Sequence, residues 1–284
     1  MNNDASQFRF ALCNEVLQPM SFEAQCRHAA ALGYFGLEVA PFTLGSDPSE
    51  ISPGLARQFR HIANDHGLVI TGLHWLLVAP TGLSITDPSP SVVRRTRDVV
   101  RHLCDLCAEL GGRYLVHGSP RQREPVAGQT HAQALKVATD FWAEAAQWAH
   151  AQDLVYCIEP LSPDQTSIVN TLAQALEIVT QVAHPALKTM LDTSSAGLSE
   201  TLDIPQLIDM YAPTGHLAHV QLNDPNRRAP GQGQMRFGPI LEALRRHHFD
   251  GPIAIEPFDY QPDGPGCAAF ALGYLKGLQS DQPD

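Results

Sequence analysis

The sequence contains no run of 18 or more apolar residues, so no segment of it suits a membrane-spanning helix. Its start, Met1 to Phe10, is polar and lacks the basic-then-apolar pattern of a secretion signal. A cytoplasmic protein with no membrane partner is expected. Basic charge is scarce: 19 Lys and Arg face 30 Asp and Glu, a net charge of −11. Such a surface repels phosphate backbones, so no nucleic-acid partner is expected. Cysteine is sparse and mostly isolated. Cys104 and Cys107 alone form a C-x-x-C spacing, but they lie inside a helical pattern with no second pair nearby. That excludes a four-cysteine zinc site and makes both small buried apolar residues of one helix face. Glycine is missing from the turn after the first strand, Asn14-Glu15-Val16-Leu17. A doubly wound dinucleotide fold usually places a glycine-rich phosphate turn there.

What is present is an alternation of short apolar, β-branched runs with longer amphipathic stretches. Strands are expected at Phe8–Cys13, Gly36–Ala40, Val69–Leu73, Tyr114–His117, Val155–Glu159, Lys188–Asp192, Leu217–Gln221 and Ile253–Glu256. Helices are expected at Ser21–Leu32, Pro53–His66, Ser91–Leu110, His131–Ala151, Leu172–Val182, Ile204–Ala212, Pro239–His247 and Cys267–Gly277. The strands are almost continuously apolar, as parallel strands buried on both faces must be. Eight strand–helix units in 284 residues, 44% of them hydrophobic, predict a closed (β/α)8 TIM barrel in a single domain. Gly33, Gly67 and Gly111 fall where left-handed helix caps are wanted. Residues Gln279–Asp284 read as a frayed tail.

In such a barrel the chemistry sits at the C-terminal ends of the strands. Four successive strands end in Glu159, Asp192, Gln221 (or His219, on the same face) and Glu256. Each acid alone would serve equally well as a surface salt-bridge partner. Together, three carboxylates converging on one rim repel each other unless a cation joins them. Oxygen-rich ligation suits one divalent ion, with Mn²⁺ the first choice and Mg²⁺, Co²⁺ or Zn²⁺ as alternatives. Trp75 and Phe42 offer apolar walls for a sugar face. Arg227, in the turn-rich segment after the seventh strand, offers a hold on a substrate oxygen. His117 and His219 are further candidate polar contacts, and His219 reads equally well as a core histidine.

The motifs Leu32-Gly33-Tyr34-Phe35-Gly36-Leu37-Glu38, Glu159-Pro160-Leu161, Asn170-Thr171, Leu191-Asp192-Thr193, His219-Val220-Gln221, Pro230-Gly231-Gln232-Gly233 and Glu256-Pro257-Phe258 together resemble the xylose-isomerase-like barrels of the sugar phosphate isomerase/epimerase, or AP endonuclease family 2, superfamily. The resemblance covers nearly the whole chain. It implies a metal site of Glu159, Asp192, Gln221 and Glu256, with the two glutamates as the acid/base pair. Three positions depart from the ketose 3-epimerase pattern: Gln221 replaces a ligand histidine, as in the hydroxypyruvate isomerase branch, Ser195 a substrate histidine and Gln165 a glutamate. The DNA-repair branch uses additional histidine ligands, for which His74 and His117 would be available. The expected activity is a metal-dependent isomerase or epimerase that moves a proton beside the carbonyl of a small sugar, through an enediolate. A dehydratase or lyase on a related sugar, or a non-catalytic sugar-binding barrel, is the alternative. The expected partner is a small-molecule sugar, and a homo-oligomer is left open.

Overall fold

The computed structural model describes residues 7–280. The earliest part of the polar start and the end of the expected tail, residues 281–284, lie outside them. Eight parallel strands close into a barrel in sequence order: β1 (Phe10–Cys13), β2 (Gly36–Val39), β3 (Val69–Leu73), β4 (Tyr114–His117), β5 (Val155–Ile158), β6 (Leu187–Asp192), β7 (Leu217–Leu222) and β8 (Ile253–Ile255). Strand β8 pairs back on β1 through Phe10↔Ile253, Ala11↔Ala254 and Leu12↔Ile255. Closure leaves no unpaired sheet edge, which removes the hazard of edge-to-edge association.

Around the barrel run α1 (Phe22–Leu32), α2 (Pro53–Asp65), α3 (Pro90–Leu110), α4 (His131–His150), α5 (Leu172–Val182), α6 (Thr193–Ser199), α7 (Ile204–Tyr211), α8 (Phe237–Arg246) and α9 (Gly264–Ser280). Local sequence sets their ends. Ser21, Ser52, Thr130, Thr171 and Asp203 each accept a backbone N–H of the first turn. Gly33 (φ 91°) and Gly111 (φ 84°) end α1 and α3 in the left-handed conformation that glycine adopts without a Cβ penalty. Cys104 and Cys107 are buried in α3 with free thiols, as small apolar groups.

Three expectations need correction. The first strand begins at Phe10, not Phe8. Helix α6 was not expected, and it starts directly on Asp192, whose side chain caps it. The last helix runs to Ser280, so Gln279 is no tail residue. Its side chain is buried, accepts the Phe8 N–H at 2.6 Å and donates to the Phe8 carbonyl at 3.3 Å. That pair ties the last helix to the entrance of the first strand.

Strand alternation fills the barrel interior. Tyr114, Val116, Cys157 and Met190 form one buried apolar layer. The alternate residues of the same strands, Leu115, Tyr156, Ile158 and Leu191, join the larger core under the helices.

Candidate active site

A pocket with about 390 Å³ of empty space opens at the C-terminal end of the barrel. Glu159 lies one residue past β5, Asp192 ends β6 and Glu256 lies one residue past β8. All three line the pocket, and each is nearly buried. One oxygen from each lies within 4.8 Å of the others. Gly118, after β4, makes room for this grouping, because a Cβ there would stand 2.1 Å from Glu159 Oε2.

The electrostatics of the trio are unfavourable as it stands. Burial, then the charges of Glu256 and Asp192, push Glu159 well above the usual carboxylate range. Burial raises Asp192 to about 6. Burial raises Glu256 to about 8 against the opposing hydrogen bond and charge of His74, with Glu15 and Asp192 adding to the rise. Asp192 Oδ1 accepts the Ser195 N–H at 2.6 Å, but its Oδ2 is buried with no partner. Gln221 is the register partner of Asp192 on β7 and is also fully buried. Its Nε2 donates to Glu38 Oε1 at 2.6 Å, and its Oε1 has no partner. Asp192 Oδ2, within the carboxylate cluster, and Gln221 Oε1, on the strand neighbour in register with Asp192, are oxygen donors of the kind a hard divalent cation takes. The residues present fit such an ion.

Further side chains support the cluster. The His74 ring stands between two acids, with Nδ1 2.9 Å from Glu256 Oε1 and Nε2 3.0 Å from Glu15 Oε2. Burial disfavours its charge, but Glu15 and Glu256 outweigh this and hold it well above the ordinary histidine range. Trp75 Nε1 donates to Glu256 Oε1 at 2.9 Å. Trp75 and Phe258 meet edge to face at 6.0 Å and form the apolar wall, so Phe258 supplies the ring expected from Phe42. Arg227 stands at the mouth, 3.3 Å from Asp164 and over the Phe258 ring at 5.8 Å. Trp75 (φ 52°) and Arg227 (φ 67°) are both non-glycine residues in left-handed backbone. Such strain costs roughly 1–3 kcal/mol each and concentrates where geometry serves function. Buried Arg123 donates to the Glu159 carbonyl at 2.8 Å and fixes the turn after β5. Gln165 and Ser195 face each other in the pocket wall, with Nε2 3.4 Å from Oγ.

Two expected contacts are misplaced. His117 points outward, not into the pocket. It follows the alternation of Leu115, and its Nδ1 meets the Tyr156 hydroxyl at 2.8 Å and the Trp142 indole N–H at 3.1 Å. Burial, then Arg123, lowers it to about 3, so it is a neutral structural ring under α4. His219 points inward but lies a layer below the pocket. Its Nδ1 meets the Pro252 carbonyl at 2.9 Å and its ring stacks on Tyr114 at 4.4 Å. Its Nε2 stands 2.8 Å from Glu38 Oε2, off the direction of a hydrogen bond. Tyr114 also donates a very short hydrogen bond to Glu38. The roles of Glu15, Glu38, His74 and Phe258 were not foreseen. The period-two pattern could have found Glu38, since it sits on the inward face of β2 with Gly36.

The sequence profile described as xylose isomerase-like TIM barrel matches residues 26–278. The D-psicose 3-epimerase of Enterocloster bolteae is 31% identical over 119 residues, 42% of this chain and 38% of that enzyme, so the match spans well under half of that relative. A ketose 3-epimerase of Arthrobacter globiformis is 25% identical over 234 residues, 78% of this chain and 74% of the relative. A crystal structure of D-psicose 3-epimerase with D-tagatose from Clostridium cellulolyticum H10 superposes with a TM-score of 0.83 at 18% identity, covering 96% of this chain and 99% of that one. A structure of AP endonuclease, family 2, from Brucella melitensis gives 0.74 at 18% identity, covering 95% of this chain and 99% of the other. The structural likenesses establish a shared fold, and with the profile match over most of its length the chain belongs to the xylose isomerase-like TIM barrel family.

Proposed function

We propose that this protein is a divalent-metal-dependent sugar epimerase that inverts the carbon next to the carbonyl of a small, unphosphorylated ketose. The observation that carries the reading is the convergence of Glu159, Asp192 and Glu256 within 4.8 Å, with partnerless oxygens on Asp192 and on its register neighbour Gln221. The resemblance in sequence to ketose 3-epimerases supports it.

Glu159, Asp192, Gln221 and Glu256 would hold the ion. When bound, the ion supplies Lewis-acid polarisation of the substrate carbonyl and offsets the negative charge that develops on it. Proton transfer belongs to the glutamates. Their strands are separated by β6 and β7, so the two carboxyls reach the shared space from different sides of the rim. One removes the proton beside the carbonyl to leave an enediolate, and the other returns a proton to the opposite face of that carbon. Asp192 and Gln221 do no proton work. Trp75 and Phe258 present an apolar face to the sugar ring or chain and exclude water. Arg227 holds a substrate oxygen at the mouth, and it is the one lysine or arginine among the described lining residues. One lining arginine beside three carboxylates favours a neutral sugar over a phosphorylated one.

The test is reconstitution. Protein stripped with a chelator and reloaded with Mn²⁺ is incubated with a panel of ketoses in D₂O and followed by NMR. The expected result is a 3-epimer carrying deuterium at the inverted carbon, formed only by the loaded protein. Full turnover after metal removal would sink the metal dependence, and net loss of water would make the enzyme a dehydratase.

A further inference from the structure

Inside the barrel, one layer below the pocket, sits Glu38, a fully buried carboxylate. It accepts hydrogen bonds from the Tyr114 hydroxyl and from Gln221 Nε2 at 2.6 Å, with His219 Nε2 at 2.8 Å and the Cys13 thiol at 3.6 Å. It makes no hydrogen bond to the three rim acids, and it approaches the pocket lining at His74, whose Nδ1 stands 3.7 Å from its Oε1. Its consequence for the site runs through Gln221. An amide can present either end to a neighbour, and here a carboxylate chooses. Only the NH₂ end can donate to Glu38, so the carbonyl end must turn away from it. That end is Oε1, buried and without a partner, on the residue in register with Asp192.

We propose that Glu38 is a positioning residue of the ion site: it locks the Gln221 amide with its oxygen toward the cation and makes that oxygen a better donor. The proposal rests on the reading of Gln221 as a ligand. A carboxylate that accepts the amide N–H draws the amide toward its charge-separated resonance form and increases the negative charge on the oxygen. The same logic governs carboxylates behind metal-bound histidines, where loss of the partner lowers metal affinity about 10–100-fold. Gln221 needs this help more than an acid would, because it brings no charge of its own. The arrangement also makes an unusual demand at position 221: a side chain that donates on one side and ligates on the other. Glutamine meets it, and so does histidine. Glutamate does not, since its second oxygen would face the Glu38 carboxylate.

Isothermal titration of Mn²⁺ alone into the stripped full-length protein tests this with a double-mutant cycle. The proteins are wild type, Glu38→Gln, Gln221→Ala and the double variant. Glu38→Gln should weaken Mn²⁺ binding about 10–100-fold in the Gln221 background and change it less than twofold in the Gln221→Ala background. Equal weakening in both backgrounds overturns the proposal, and so does unchanged affinity in Glu38→Gln when Gln221→Ala is weakened. If Gln221→Ala itself binds Mn²⁺ like wild type, Gln221 is no ligand, and the reading beneath the proposal fails first. Gln221→His and Gln221→Glu keep the proposal testable should Glu38→Gln not fold. The histidine variant should retain Mn²⁺ affinity and the glutamate variant should lose it, despite its added negative charge. Tighter binding by the glutamate variant overturns the proposal.

Discussion

Two groups of buried carboxylates occupy one barrel, a single layer apart, and their electrostatics are opposite. Glu38 is fully buried, and burial opposes its charge, yet His219, His74 and the Tyr114 hydroxyl hold its carboxyl down to about 2. On the rim, burial raises Glu159, Asp192 and Glu256, and neighbouring acids add to the rise of Glu159 and Glu256. Depth does not separate the two groups, since all four side chains are nearly or wholly buried. Partners do. The inner acid is surrounded by donors from β4 and β7, while on the rim Glu159 faces the charges of Glu256 and Asp192, and Asp192 keeps one oxygen without a partner. A satisfied buried carboxylate behaves as structure, and an unsatisfied set behaves as a receptor for positive charge.

The most severe way to break the comparison is chemical. Glu159→Gln or Glu256→Gln keeps size and burial and removes the proton carrier. Turnover on the ketose accepted by the wild type should fall about 10²–10⁴-fold or more, with the circular dichroism spectrum unchanged. A variant that keeps full turnover removes that glutamate from the acid/base pair.

The second way reverses a sign. In chelator at pH 8, Glu38→Gln should destabilise the protein by about 2–3 kcal/mol, because it takes an ionised acceptor from the donors around it. Asp192→Asn in the same buffer should hold or raise the melting temperature, because it removes a charge that burial disfavours while keeping an oxygen for the Ser195 N–H. Thermal unfolding of the two variants side by side checks this. Destabilisation by both would show that the rim acids are structural too.

The third is smaller and adds the cation back. Mn²⁺ at a hundredfold excess over its dissociation constant should stabilise the wild type by about 2.7 kcal/mol. In a chain of this length that is a rise of several degrees. The rise should vanish in Asp192→Asn. Equal rises in both proteins would place the ion elsewhere.

How much of this was legible beforehand follows the same division. The barrel was readable because its strands are short apolar runs separated by amphipathic helices of matching length, and that periodicity survives in one dimension. The rim acids were readable because each follows such a run directly. Helix α6 was hidden because its cap, Asp192, is also the end of β6, so no turn separates strand from helix. His74, Glu15 and Glu38 were hidden for a different reason. Their partners are 59, 182 and 183 residues distant for His74–Glu15, His74–Glu256 and Glu38–Gln221, and only the closed barrel brings them together. His117 was misread although strand alternation puts it on the outer face with Leu115, because a histidine near a strand end looks like a rim residue until its side is counted.

The outward placement of His117 extends the comparison from acids to histidines and sets its mildest test. His74 is enclosed by Glu15 and Glu256 and favours its proton, whereas His117, among the rings of Phe141, Trp142 and Tyr156, is lowered to about 3. In an unfolded chain His117 takes up a proton near its ordinary value of 6.5, while in the folded protein it stays neutral until about pH 3. Its contribution is therefore fully present above 6.5 and is lost as pH falls through that window. The loss approaches tenfold in the folding constant per pH unit, about 1.4 kcal/mol, once pH is well below 6.5. Glutamine in its place lowers stability at neutral pH but has no proton to take up. Chemical denaturation of wild type and His117→Gln at pH 7.5, 6.0 and 5.0 should show the gap between them narrowing as the medium becomes acidic. A constant gap would mean that His117 already exchanges its proton with solvent, and that the layer between β4 and α4 is wetter than its packing indicates.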